Sequence, residues 1–168
     1  MEVAELFWYG CGHCYSLEPV LKRWLENKPD NAEFVKVPAI FSKRWEFHAK
    51  AHYTMNTLQV EQVVYDSFFQ RIHVQRRGIN SLSELKSFLE DFEFTAEQVE
   101  SAFNSFEVDS NLRNAMRITR ASGASGVPSI IVDGKYLTSA AQAGGAPQMF
   151  SVVNKLVEKA AAERAASE

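Results

Sequence analysis

The run Phe7-Trp8-Tyr9-Gly10-Cys11-Gly12-His13-Cys14 sets the chain's only two cysteines at an abrupt change of pattern. Before them, Val3, Ala4, Leu6, Phe7, Trp8 and Tyr9 make a short, nearly continuous apolar stretch, which predicts a strand buried on both faces. After them, Leu17, Val20, Leu21, Trp24 and Leu25 recur three and four residues apart, which predicts a helix starting at or near the cysteines. The unpaired N–H groups and partial positive charge of a helix N-terminus favour a thiolate, so Cys11 is expected to be an acidic thiol. His13, between the cysteines, adds a donor or a positive charge. At i and i+3, Cys11 and Cys14 share one helical face and can close a small ring. As a staple this ring is poor, since so short a loop contributes only roughly 2 kcal/mol. Reactivity is the stronger reading.

With 168 residues, 46% apolar and 23% charged, the chain suits one domain, or one domain carrying a large insertion. The net charge of -3 argues against bulk nucleic-acid binding. No apolar run approaches the ~18 residues that suggest a membrane span. The chain enters its first strand with no basic n-region before it, which fits either a cytosolic protein or a mature form whose signal has been removed.

Further on, a turn-rich break at Asn27 to Asn31 precedes a second short strand, Phe34 to Val37, ended by Pro38. From about Arg44 to Ser122 the periods are helical. Val60, Val63, Val64 and Phe68 mark one helix, and Leu82, Leu85, Phe88, Leu89 and Phe92 another. Val99, Ala102, Phe103 and Phe106 mark a third, and Leu112, Ala115, Met116 and Thr119 a fourth. Ser81 with Glu84 and Thr95 with Gln98 have capping-box spacing. Strand character returns at Ser129 to Val132, with Asp133-Gly134 signalling a hairpin to Lys135-Tyr136-Leu137. Pro147 then opens a last helix. The order is strand, helix, strand, helical insertion, hairpin, helix.

Cys-x-x-Cys at a strand-to-helix junction, Tyr15 and Glu18-Pro19 after it, the helical insertion, and Gly126-Val127-Pro128 before the hairpin together resemble the DsbA thiol:disulfide interchange proteins. The resemblance implies an α/β fold: a thioredoxin-like sheet formed by residues 1–43 and 123–168, with residues 44–122 as an all-helical insertion domain. It implies that Cys11 attacks, that Cys14 resolves, and that the Cys11–Cys14 disulfide serves as the redox group with no separate cofactor. Pro128 would be the cis-proline facing the cysteines, with Val127 pairing to an extended substrate chain. Trp8 and Tyr9 would contact substrate. Implied partners are reduced or misbridged secreted proteins and a quinone-linked membrane partner of the DsbB type, in the periplasm.

Glu5, Glu18 and Lys36 also match the family pattern, and the residues support this independently. Cys11, Cys14 and Glu18 stand at i, i+3 and i+7 on one helical stripe. Glu5 is a lone charge in a buried strand and requires a partner such as Lys36. The cluster reads either as a proton relay for Cys14 or as a structural ion pair. Two departures stand out. Gly12-His13 replaces the usual Pro-His and is a pairing found in protein disulfide isomerases, which leaves oxidase, isomerase and reductase roles open. The family's usual first strand has no counterpart before Val3, so the edge at Phe34 to Val37 is expected to be exposed and available for self-association.

Rival readings are weaker. No metal is expected: two cysteines and His13 in one helical turn cannot share a zinc ion, and His48 and His52, at i and i+4, read as a solvated helix face. Tyr15 replaces the histidine that haem attachment needs. Arg71, Arg76 and Arg77 read as another solvated face. A thioredoxin-like peptide-binding or chaperone module is the alternative from another class, with Trp8, Tyr9, Met149 and Phe150 lining its groove. A glutathione transferase of the kappa type would have no use for Cys14.

Overall fold

The computed structural model describes residues 1–167. Four strands, β1 (Glu2–Phe7), β2 (Glu33–Pro38), β3 (Ser129–Val132) and β4 (Tyr136–Ser139), form one sheet in the order β2-β1-β3-β4. The remaining elements are helices: α1 (Gly12–Asn27), α2 (Lys43–Thr57), α3 (Gln62–His73), α4 (Leu82–Glu90), α5 (Ala96–Phe103), α6 (Phe106–Ala121), α7 (Ala140–Ala143) and α8 (Ala146–Ala165). The chain packs as two compact units. The sheet unit comprises Met1–Phe7, His13–Val37 and the chain from Arg120 onward, and the helical unit comprises Trp8–Gly12 and Pro38–Thr119.

In the sheet unit, β1 and β3 run antiparallel with Val3 opposite Val132 and Glu5 opposite Ile130. Met1 and Glu33 meet through a 2.8 Å backbone hydrogen bond, which joins the starts of β1 and β2 and makes those strands parallel. Strand alternation then puts Val3, Glu5, Ile130 and Val132 on one face. That face packs against Leu17, Leu21 and Trp24 of α1 and Met149, Phe150 and Val153 of α8 in a single apolar core. Met149 and Phe150 are therefore core residues, not groove lining, and Phe150 stacks on Trp24 at 5.0 Å between ring centroids. The hairpin between β3 and β4 uses a three-residue turn, Asp133 to Lys135, with Asp133 and Gly134 in the left-handed region. Arg164 and Lys135 both pair with Asp133. β2 lies at one edge of the sheet, and its Val35 is exposed.

β1 is shorter than the apolar run suggests. It stops at Phe7 because the Cys11 N–H donates to the Trp8 carbonyl at 3.0 Å, turning Trp8 to Cys11 into a tight bend before α1. In the helical unit, Thr95 and Gln98 complete a capping box on α5. Ser81 accepts from the Glu84 N–H as its spacing predicts, but the Glu84 carboxylate reaches the Asn80 N–H instead of Ser81. Phe106 begins α6 rather than ending α5, because the Ser105 hydroxyl accepts the Val108 N–H and starts a new helix.

His48 and His52 are buried, not solvated. α2 carries buried side chains around most of its circumference, and these two are satisfied inside the unit: His48 Nε2 donates to the Ile79 carbonyl at 2.9 Å, and His52 Nδ1 meets the Tyr9 hydroxyl at 2.7 Å. Among the arginines, Arg76 and Arg77 are exposed, whereas Arg71 is half-buried over the Phe88 ring. Among the described residues no helix is long and apolar enough to cross a membrane.

Burial pushes His48 down to about 4, with the Arg44 charge assisting and the Ile79 carbonyl opposing. Between its ordinary value near 6.5 and about 4, the unfolded chain binds a proton that the folded chain excludes. Stability is therefore full above pH 6.5 and falls as the pH drops through this window, by about 1.4 kcal/mol per unit. Urea unfolding at pH 7, 5.5 and 4.5 should show this slope, and His48→Gln, which keeps a donor for Ile79, should be flatter by that amount.

Candidate active site

α1 begins at Gly12, so Cys11 immediately precedes the helix and Cys14 lies in its first turn. Cys11 is half-buried and Cys14 is fully buried. One turn after Cys14, Glu18 is also buried, while His13 is exposed. The helix N-terminus supplies N–H groups and a positive dipole end to whichever sulfur carries charge.

Glu5, from the middle of β1, is completely buried on the face that meets α1. Lys36 of β2 reaches both acids: its Nζ lies 3.7 Å from Glu5 Oε2 and pairs directly with Glu18 Oε1. The same ammonium sits 4.9 Å above the Phe7 ring. Burial acts to lower the Lys36 pKa, but the charges of Glu5 and Glu18, the hydrogen bond that Lys36 donates to Glu18 and the charge of Cys14 outweigh it and raise the value above 10.5. Lys36 therefore stays cationic at neutral pH. Its stabilisation is present below 10.5 and is lost as the pH rises through the higher folded value.

Val127 and Pro128 directly precede β3, and the peptide bond between them is cis. The Ser129 hydroxyl donates to the Gly126 carbonyl at 2.7 Å and ties this loop to the strand start. Within the sheet unit, His13, Ser16, Leu17, Gly126, Val127 and Pro128 border a groove of about 520 Å³.

The stretch before Cys11 is held by the helical unit. Trp8 stacks on Trp45 at 4.4 Å and 7° between planes, with the Arg44 guanidinium 5.5 Å from its ring centre. The Trp8 ring also folds over Gly10, where any β-carbon would overlap the indole. Gly12 is different: a β-carbon there would meet nothing within 4 Å. Tyr9, expected at the substrate surface, is only 1% exposed. Its ring lies against Phe68 and Phe69 and its hydroxyl is engaged by His52, so it supports the site from within rather than touching substrate. Nothing in the sequence pattern marks Trp45, Arg44, His52 or His73 as neighbours of the cysteine turn. The i, i+4 spacing of His48 and His52 is the one available signal, and chain order does not tell which way that face points.

No group of three or more metal-binding side chains occurs among the described residues. Lys36→Met should strand the Glu5 carboxylate and destabilise the protein by about 3 kcal/mol in urea unfolding. Combining it with Glu5→Leu should recover most of that loss, a coupling that a double-mutant cycle reads directly.

Comparison with known proteins agrees with this geometry. The family model of the DsbA-like thioredoxin domain matches residues 2–157. A thiol:disulfide interchange protein DsbA of Pseudomonas aeruginosa is 35% identical over 167 residues, covering 99% of this chain and 78% of its own length. The protein of the same name from Azotobacter vinelandii is 34% identical over 159 residues, covering 95% and 74%. The crystal structure of P. aeruginosa DsbA superposes with a TM-score of 0.90 at 35% identity, over 99% of this chain and 85% of that one. A strand-to-helix cysteine pair, a thioredoxin-like sheet with a helical insertion and this match across nearly the whole length make the chain a member of the DsbA family of disulfide oxidoreductases.

Proposed function

We propose that the chain introduces and exchanges disulfides in secreted proteins of the periplasm, with Cys11 as the attacking sulfur and Cys14 as the resolving one. The observation that carries this reading is the unequal placement of the two sulfurs on one helix end. Cys11 is half-buried ahead of the first turn, and Cys14 is buried within it, in electrostatic reach of the Lys36 ammonium.

In the oxidising direction a substrate thiolate attacks Cys11 Sγ of the Cys11–Cys14 disulfide. The S–S bond breaks, its electron pair leaves on Cys14, and a mixed disulfide joins Cys11 to the substrate. A second substrate thiolate then attacks the substrate sulfur of that bond, Cys11 departs as a thiolate, and the substrate leaves with its new disulfide. Two electrons have passed to the cysteine pair, and a quinone-linked membrane partner of the DsbB type removes them. Run in reverse, with Cys11 attacking a wrong bridge and Cys14 resolving, the same steps reduce or isomerise. The cysteine pair is its own redox group and no further cofactor takes part.

The surrounding residues have separate tasks. The Lys36 cation steadies the departing Cys14 thiolate, and Glu18, paired to Lys36, accepts and returns its proton while Glu5 anchors the charge. Gly12 and His13 set the balance between dithiol and disulfide at the helix end. An extended substrate chain lies in the groove beside Val127 and Pro128, where backbone pairing resembles strand addition. Trp8 flanks the approach to Cys11. Residues 44–122 act as the helical insertion domain, and the open edge of β2 at Phe34 to Val37 is the surface for self-association.

Cys11→Ser should abolish oxidation of a reduced model peptide, whereas Cys14→Ser should still attack but accumulate the mixed disulfide on non-reducing gels. Glu18→Gln should slow resolution with little change in Tm, and unchanged resolution kinetics would remove Glu18 from proton transfer. The reduction potential of the pair, equilibrated against glutathione, separates oxidase from isomerase and reductase roles.

A further inference from the structure

Cys11 closes the turn that begins at Trp8, and the carbonyl of Tyr9 belongs to the central peptide of that turn. The orientation of this central peptide distinguishes one turn type from another, so a partner on the carbonyl determines how the turn delivers its last residue. His73, the final residue of α3, supplies that partner: its Nε2 lies 2.6 Å from the Tyr9 oxygen. A carbonyl only accepts, so Nε2 carries hydrogen whether the ring is neutral or charged. The remainder of Tyr9 is gripped from the same unit, its hydroxyl by His52 of α2 at 2.7 Å and its ring by Phe68 and Phe69 of α3 at 4.4 and 4.8 Å between centroids.

We propose that His73 is a positioning residue for Cys11: by donating to the central carbonyl of the Trp8–Cys11 turn, it fixes where the attacking sulfur stands relative to the start of α1. The inference rests on Cys11 being the attacking sulfur. Without the donor, the Tyr9 peptide can rotate, the Cys11 N–H loses its register with the Trp8 carbonyl, and the sulfur samples positions less favoured by the helix terminus. His73 acts through Tyr9 and needs no contact with substrate. A side chain that places an N–H where Nε2 stands should replace it, and glutamine does so. Phenylalanine keeps the ring that packs beside Phe69 and removes the donor.

The test compares His73→Phe and His73→Gln in the Cys14→Ser background, reading the pH dependence of Cys11 alkylation by iodoacetamide, with peptide oxidation read in the two-cysteine protein. His73→Phe should move the alkylation midpoint upward and slow peptide oxidation about tenfold, the equivalent of one hydrogen bond near the upper end of the usual range. His73→Gln should stay within about twofold of the parent on both readouts. Parental midpoint and rate in folded His73→Phe would overturn the proposal, as would equal losses in both variants, which mark a purely structural role. Should His73→Phe fail to fold by circular dichroism, His73→Met is the second donor-free variant: a raised midpoint with slower oxidation supports the proposal, and parental values overturn it. Failure of the functional reading is distinct: Cys11→Ser would then retain peptide oxidation, whatever residue stands at position 73.

Discussion

A carboxylate in the middle of a fully buried strand determines much of the sheet unit. Glu5 stands where every other residue of β1 from Val3 to Phe7 is apolar, and an isolated charge there would cost several kcal/mol. It is tolerable only if β2 lies beside β1 in a register that brings Lys36 within reach. The same ammonium also pairs with Glu18, which puts one face of α1 against the pair and leaves Cys14 on that face one turn earlier. The pairing of two strands, the roll of a helix and the surroundings of a buried thiol therefore answer to a single desolvated charge.

The helical unit solves a different problem. Trp8 to Gly12 has little regular structure of its own, and such a segment is normally among the more mobile parts of a protein. Here it is packed into α2 and α3 through Tyr9, with Trp8 stacked on Trp45. Three of the chain's four histidines, His48, His52 and His73, lie in α2 and α3, and two of them bond Tyr9 directly. Histidine suits this use because one small ring fills aromatic space and still offers a nitrogen to a polar partner.

The sequence carried the cysteine junction, the sheet strands, the helical block and the Glu5, Glu18 and Lys36 grouping, because each rests on local periodicity or on a charge whose burial demands a partner. Three features were not legible, for related reasons. The apolar run through Tyr9 reads as strand, yet a turn hydrogen bond ends β1 at Phe7, and apolar content does not distinguish a strand from a buried turn. The His48 and His52 pair gives its helical spacing but not its direction. The bond between His73 and the Tyr9 backbone joins positions 64 residues apart and leaves no pattern, since a backbone carbonyl looks alike in every residue type.

The two glycines that flank Cys11 have opposite standing. Gly10 is locked in by the indole of Trp8, so the residue before the sulfur cannot change without disturbing the aromatic packing around it. Gly12 has open space where a side chain would go and no unusual backbone conformation to protect. A replacement there alters helix propensity by about 0.5 to 1 kcal/mol. Only the part of that change felt unequally by the dithiol and disulfide forms enters the reduction potential, and since 1.4 kcal/mol corresponds to about 30 mV for a two-electron couple, its ceiling is of the order of 10 to 20 mV. One side of the sulfur is thus a fixed bearing and the other an open seat: a side chain can be exchanged at position 12 without disturbing the packing around it.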